Sequence, residues 1–331
     1  MKDRQPDSRT VQSAPRNGGN SSDLEIKIAW MYYIEKFTQE EIAERFGLSR
    51  VKVMRILSAC AADGVVVTRI NRPAGAQIRQ ERALEARFGL SAAIVVPTPE
   101  RDQNVERAIG HAVANYLDAS MVNGTKLAVG GGATLYGSLE FISRRPLETG
   151  CVIGLVGNLP HSRWINPSIV AARLADAFGI ESYQITAPVV VDSPDLRDLL
   201  WQQQALRLVR DLALEADIAL LTVGDLSRDA TIFRHEIVSP DLIAPLKRKG
   251  AVANVLCHFI DEKGALVDHP INRRVVAIDL VDLNRCKEVV LAAGGPQKVD
   301  AIKAALKAVN VTKLITDQRT ADLLIGTLGQ G

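Results

Sequence analysis

Three stretches of the 331-residue chain gather residue types that can hold a small polar molecule. The first is Gly130-Gly131-Gly132-Ala133-Thr134, which ends an apolar run over 126–131 and precedes a helical pattern over 134–144. Glycines let the backbone turn sharply and approach a ligand, N–H groups opening the helix face an anion, and Thr134 adds a hydroxyl. A tight turn with no ligand is the plain alternative. The dinucleotide fingerprint is absent, because Leu135 stands where its third glycine is required, and so is the Gly-Lys-Ser/Thr of a phosphate-binding loop. The second stretch, Gly294-Gly295-Pro296-Gln297-Lys298, follows an apolar run over 288–293. A cation at a helix start opposes the helix dipole, and a bound phosphate or carboxylate would compensate. A solvent-facing lysine whose small cost is tolerated is the alternative. The third is the apolar run 251–260, which carries the polar Asn254 and His258. Buried polar groups need partners, from a ligand or from neighbouring loops.

A different chemistry is on offer over residues 38–62. Thr38 and Glu41 have capping-box spacing ahead of a helix over 39–46, Gly47 suits the left-handed residue after it, and Ser49 can cap a further helix over 50–62. Two short helices joined by a tight turn fit a unit whose second helix enters the major groove of DNA. At helical spacing Val53, Ile56, Leu57 and Cys60 form the inward stripe, which leaves Val51, Met54, Arg55 and Ser58 outward with Arg50 and Lys52 on the flanks. Arg and Lys suit phosphates and guanine edges, and Val51 suits a thymine methyl. Gln39 and Ser49, at helix N-termini, are placed for phosphates. A solvated charged face is the competing reading. Charge placement permits contact with DNA: residues 1–75 carry 12 Lys and Arg against 9 Asp and Glu, the remainder 28 against 29.

An enzymatic reading rests on Asp225, which follows Gly224, and on Asp261 as general bases. Asn254, nearer the glycine clusters, cannot exchange protons at neutral pH. Cys60, Cys151, Cys257 and Cys286 are far apart and read as reduced buried thiols, and neither they nor the five histidines have metal-ligand spacing. The sequence therefore points to no metal and no cofactor. It shows no apolar run of membrane-spanning length and no secretory leader, so a cytoplasmic protein is expected.

These residues must be positioned by elements. Residues 1–22 are polar and read as a disordered tail, 23–72 as an all-α helix-turn-helix domain, 73–90 as a linker helix and 91–331 as a large α/β domain. The helix-turn-helix domain starts with a helix over 24–36 that turns Leu24, Ile28, Met31 and Ile34 to one side, and a strand is expected at 65–70. In the large domain strands are expected at 93–96, 126–131, 151–156, 181–186, 217–223, 251–260, 274–280, 288–293 and 312–316. Helices over 100–119, 134–144, 167–178, 194–213, 239–249, 298–308 and 318–328 separate most of them. Such alternation gives a doubly wound, mainly parallel sheet covered on both faces, with ligands at the carboxyl ends of its strands.

The order of the segments YYIEKFTQEEIAERFGLSRVKVMRILSACAADGVV, VGGGATLY, GLVGNL, TAPVVVDSPDLRDLL, TVGDLS, GAVANVLCHFIDEKG and AAGGPQKVDAIKAAL resembles the SorC/DeoR-type sugar-binding transcriptional regulators over residues 24–328. The resemblance implies a C-terminal effector domain related in fold to phosphosugar isomerases, and a homo-oligomer, dimer or tetramer, on a double-stranded DNA operator. It implies a sugar, polyol or sugar-phosphate effector in contact with Gly132, Ala133, Thr134, Asn254 and Lys298, to which the glycine turn itself adds Gly130 and Gly131 as candidate contacts. Ala133 stands where the family commonly has Arg, Thr or Ser, and Asn254 where it commonly has an acid. The rival is a phosphosugar isomerase or deaminase with an appended DNA-binding domain.

Overall fold

The computed structural model describes residues 23–66, 76–100, 105–159 and 166–326. The chain divides between Val66 and Val67 into two compact units. The expected tail over 1–22 lies outside the described residues.

The smaller unit is three helices, α1 (Asp23–Tyr33), α2 (Gln39–Phe46) and α3 (Arg50–Ala62). Local chemistry sets its boundaries. Thr38 and Glu41 close a reciprocal capping box on α2, and Gly47 follows in the left-handed conformation at φ 64°. Ser49 caps α3 by accepting from the Lys52 N–H at 3.2 Å. Val53, Leu57 and Cys60 then pack with Ile28, Met31, Ile42 and Ala43 into one small core, with Ile56 at its margin. The inward stripe expected for the first helix is corrected: Ile28, Ala29 and Met31 are buried, whereas Leu24 and Ile34 are exposed. Of the strand expected at 65–70, Val65 and Val66 form a bend and the rest lies outside the described residues.

The larger unit begins with α4 (Ala76–Phe88) and continues β1 (Ala92–Val96), α5 (Val105–Ser120), β2 (Lys126–Val129), α6 (Ala133–Ser138), β3 (Cys151–Gly154), α7 (Pro167–Phe178), β4 (Glu181–Tyr183), α8 (Pro194–Trp201), α9 (Gln204–Leu214) and β5 (Ile218–Leu221). It goes on through α10 (Thr231–Arg234), α11 (Ile243–Arg248), β6 (Ala251–Val255), β7 (His258–Asp261), β8 (Glu288–Ala292), α12 (Val299–Ala308), β9 (Lys313–Asp317) and α13 (Gln318–Ile325). Seven strands form one sheet in the order β1-β9-β8-β5-β2-β3-β4, every pairing parallel. Alternate residues serve opposite faces, as the pleat demands. Leu127, Val152, Leu220, Val290 and Ile315 meet α5 and α7, while Ala128, Ile153, Ala219, Leu291 and Leu314 meet α9, α12 and α13. This is the doubly wound architecture. A third apolar cluster, built on α10 and the β6–β7 hairpin and including Phe233 and Phe259, lies beside it.

Four expectations for this unit are corrected. Residues 251–260 form two strands, because Leu256 and Cys257 reverse the chain between them. Residues 274–280 make isolated bridges at Val275 and Ala277 instead of a strand. The helix expected at 194–213 breaks at Gln202–Gln203 into α8 and α9. The helix after the first glycine cluster stops at Ser138, well short of residue 144.

The helix read as a linker is fastened to the larger unit. Glu81 of α4 accepts from the Val95 N–H at 2.9 Å and Glu85 from the Ala93 N–H at 3.1 Å, both on the edge strand β1. Gln80 donates to Asp322 of α13 at 2.6 Å. Carboxylates thus satisfy N–H groups that an uncovered edge would present to other chains.

Candidate functional site

Strand order decides where a ligand fits in the larger unit. From β2 the chain proceeds outward to β3 and β4, and from β5 outward the other way to β8 and β9. The order reverses between β2 and β5, and a crevice opens at the carboxyl ends of strands on either side of such a point. A cleft of about 630 Å³ lies there, lined by residues that follow β2, β3, β5 and β8 and by the β6–β7 turn. That volume is in the range of small-molecule sites.

The structure brings Gly131, Gly132, Ala133, Thr134, Asn254 and Lys298 to the wall of this one cleft; Gly130 is not on the wall. The glycine turn after β2 is also a packing necessity. Gly132 has φ 113°, and a Cβ there would lie 2.8 Å from the Thr222 hydroxyl, which itself donates to the Gly131 carbonyl at 2.7 Å. Thr222 thus ties the end of β5 to the turn after β2.

The second glycine turn is occupied by the protein itself. The Gly295 N–H donates to Asp317 at 3.0 Å and to the Thr320 hydroxyl at 2.8 Å. The Asp317 carboxylate, fully buried, also caps α13 and accepts from the Thr98 hydroxyl. Lys298 needs no external anion either: its Nζ lies 3.3 Å from a carboxylate oxygen of Glu106, the second residue of α5.

Asn254 enters from the hairpin. Its backbone exchanges both hydrogen bonds with Gly224, and its Nδ2 is buried without a hydrogen-bond partner. The turn beyond it is costly. Leu256 and Cys257 both have positive φ, 49° and 65°, as a two-residue hairpin turn of the I′ kind requires and as non-glycine residues resist. Both side chains line the cleft. Burial pushes the Cys257 thiol up to about 12, so it is a neutral wall group. His258, next in the chain, is buried; burial and the nearby Arg197 charge push it down to about 4, and it is neutral.

The acids proposed as general bases are engaged structurally. Asp225 lines the cleft and accepts from the Ser227 N–H at 2.6 Å. Asp261 accepts from the Lys263 and Ala265 N–H groups, both at 2.9 Å, in the loop after β7 and away from the cleft wall. Cleft residues that sequence reasoning missed include Glu106, Thr222, Asp229 and Arg234. Thr222 opens the TVGDLS segment but was given no role there, the other three lie outside the quoted segments, and only the fold brings them to the glycine turns.

In the smaller unit Ser49, Arg50, Val51, Lys52, Met54 and Arg55 are all exposed, and Gln39 is partly so. Val51 and Met54, 56% and 49% exposed, are large apolar groups among cations, as expected of a face that meets base edges. Arg50 reaches Glu40 only at 3.9 Å, a loose pair between two exposed side chains. The Ser49 oxygen accepts from Lys52 N–H while its own proton stays available for a phosphate.

Residues 72–326 match the family described as "Putative sugar-binding domain", and residues 31–87 match the Crp-like helix-turn-helix domain. The chain belongs to the SorC/DeoR-type sugar-binding transcriptional regulators. Like its relatives, this SorC/DeoR-type protein joins a helix-turn-helix unit to a sugar-binding domain. The transcriptional regulator LsrR of Enterobacter sp. (strain 638) is 32% identical over 315 residues, 93% of this chain and 94% of that protein. The deoxyribonucleoside regulator of Bacillus subtilis (strain 168) is 30% identical over 307 residues, 92% and 98% of the two chains. The full-length sorbitol operon regulator SorC from Klebsiella pneumoniae has the same fold, with a TM-score of 0.69 at 24% identity over 91% of this chain and 98% of that one.

Proposed function

We propose that α3 of this SorC/DeoR-type regulator reads the major groove of a double-stranded operator, and that a sugar, polyol or sugar phosphate in the cleft sets its affinity for that operator. The observation that carries the reading is the convergence of Thr134, Asn254 and Lys298, from three separate segments, on one cleft at the reversal of strand order. Contacts to DNA come from Arg50, Lys52 and Arg55, with Val51 and Met54 against bases and Gln39 and Ser49 on phosphates. The effector is held by the Gly131–Thr134 turn, Asn254 and Lys298. Relatives named for a sorbitol operon and for deoxyribonucleosides support an effector with a carbohydrate part.

The cleft senses and does not catalyse: Asn254 has no titrating proton at neutral pH and Asp225 is spent on a turn. No metal or cofactor is required for this role. Among the described residues no helix is long and apolar enough to cross a membrane, which agrees with a cytoplasmic regulator. Control of DNA affinity from a distant site needs two arrangements that bind the ligand unequally, with coupling of about 1–3 kcal/mol. A homo-oligomer, dimer or tetramer, supplies such arrangements and matches two-fold operators. The test is fluorescence anisotropy of the full-length protein on DNA from upstream of its own gene, with sugars, polyols and their phosphates added in turn. One compound is expected to shift the binding midpoint at least fivefold. Unchanged binding with a compound shown calorimetrically to occupy the cleft overturns the proposal.

A further inference from the structure

The cleft has an anion position that is already filled. Lys298 is the lysine that the second glycine turn delivers to the wall, and the Glu106 carboxylate lies 3.3 Å from its ammonium group. The two residues come from α5 and from the start of α12, 192 positions apart in sequence, so the pair is made by the fold. The lysine is much the more covered, its side chain 16% exposed against 43% for the glutamate. The second glycine turn supplies no substitute donor at Gly295, because its N–H is taken by Asp317 and Thr320. Among the described residues the charge on the wall points the same way: Glu106, Asp225 and Asp229 outnumber Arg234 and Lys298. A phosphate dianion entering here meets a neutralised lysine and a carboxylate it repels. A hydroxyl meets acceptors and donors in good number: Glu106, Thr134, Thr222, Asp225, Asn254 and Gln297 all line the cleft.

We infer that Glu106 is a specificity-determining residue: by occupying Lys298 it makes the cleft select an uncharged polyhydroxy effector over the phosphate ester of the same compound. This rests on the reading of the cleft as the effector site and narrows it to one charge class. Carboxylate and amide are nearly isosteric, so Glu106→Gln removes the charge, leaves Lys298 without its ion-pair partner and keeps the volume.

Thermal shift and calorimetry of the full-length protein provide the test. Probes are erythritol, sorbitol, ribose and glucose, each paired with its terminal phosphate ester, together with inorganic phosphate alone. Wild type is expected to be stabilised by at least one uncharged member and to need at least tenfold more of its ester. Glu106→Gln is expected to bind that ester, and inorganic phosphate, at least tenfold more tightly than wild type does. Glu106→Ala serves as a second charge-removing variant in case the amide disturbs α5, and Lys298→Ala in the Glu106→Gln background should abolish the gain. Tighter binding of an ester than of its parent by wild type overturns the inference and leaves the cleft as the effector site. The inference falls equally if neither Glu106 variant gains affinity for phosphate while the uncharged member still binds. Failure of every probe on both proteins overturns the reading of the cleft itself.

Discussion

Gly224 and Asn254, both on the cleft wall, are joined by both of their backbone hydrogen bonds, at 3.0 and 2.8 Å, and a Cβ on Gly224 would lie 2.5 Å from Asn254 Nδ2. The segment after β5 and the hairpin strand β6 therefore meet at a point with no room for a side chain. Asn254 is placed by that meeting and by no side-chain hydrogen bond of its Nδ2.

Gly224→Ala should accordingly push the Asn254 amide out of position. Overpacking of this kind costs about 1–3 kcal/mol, and effector binding should weaken with it. The check is a double-mutant cycle in denaturant: the alanine should cost less in an Asn254→Ala background, where the obstructing amide is gone. Equal cost in both backgrounds would show that the clash is not with Asn254.

The attachment of α4 gives a second expectation. Glu81→Ala leaves the Val95 N–H of the edge strand without its acceptor, a loss of about 1–3 kcal/mol for a buried donor. Glu81→Gln retains an acceptor oxygen and should cost less. Hydrogen exchange resolves the two, since the Val95 amide should exchange faster in the alanine variant and nearly as slowly as wild type in the glutamine variant. If α4 carries the effector signal, Glu81→Ala should also reduce the effector's influence on DNA affinity.

How far the sequence disclosed these features follows the range of the interactions. The Thr38–Glu41 box, Gly47 and Ser49 act within a single turn of chain, so the boundaries of α2 and α3 were legible to the residue. Strands β2, β5, β8 and β9 were legible as short apolar runs, because central parallel strands are buried on both faces. The β6–β7 hairpin was not, since its turn uses Leu256 and Cys257 where a two-residue turn ordinarily shows Asn or Gly. Residues 274–280 looked like a strand because they are apolar, yet they pair only through isolated bridges to Val156 and Val190, and burial alone does not extend these into a ladder. For the site, the glycine turns announced the cleft, but the partner of Lys298 did not. Glu106 lies in an ordinary helical stretch, and only the packing of α5 against the sheet brings it there.

On the DNA side, Arg55 and Lys52 should behave differently. Both are exposed and neither belongs to the buried stripe of α3, so alanine variants should remain folded. Arg55, on the outward face, should cost about 1–3 kcal/mol on the cognate operator and far less on random DNA, as loss of a base contact does. Lys52, on the flank, should weaken both alike and reduce the slope of log affinity against log salt by about one. Equal losses at Arg55 on cognate and random DNA would reassign it to the phosphate backbone.

The pH dependence of stability turns on His258. Its folded pKa of about 4 lies below the ordinary 6.5 because burial and the nearby Arg197 charge disfavour the imidazolium. Between those two values the unfolded chain binds the proton and the folded chain does not, so stability falls as pH drops through that window and is unaffected by this group above it. The loss accumulates to on the order of 3 kcal/mol by the lower end. His258→Leu removes the titrating group and a buried Nδ1 that has no hydrogen-bond partner. Urea denaturation from pH 7 to pH 4.5 should therefore show a shallower decline for the variant than for wild type, with the curves closest at pH 7. Parallel declines would mean that another group carries the acid sensitivity and that the His258 ring takes up its proton over the same pH range in the folded and unfolded protein.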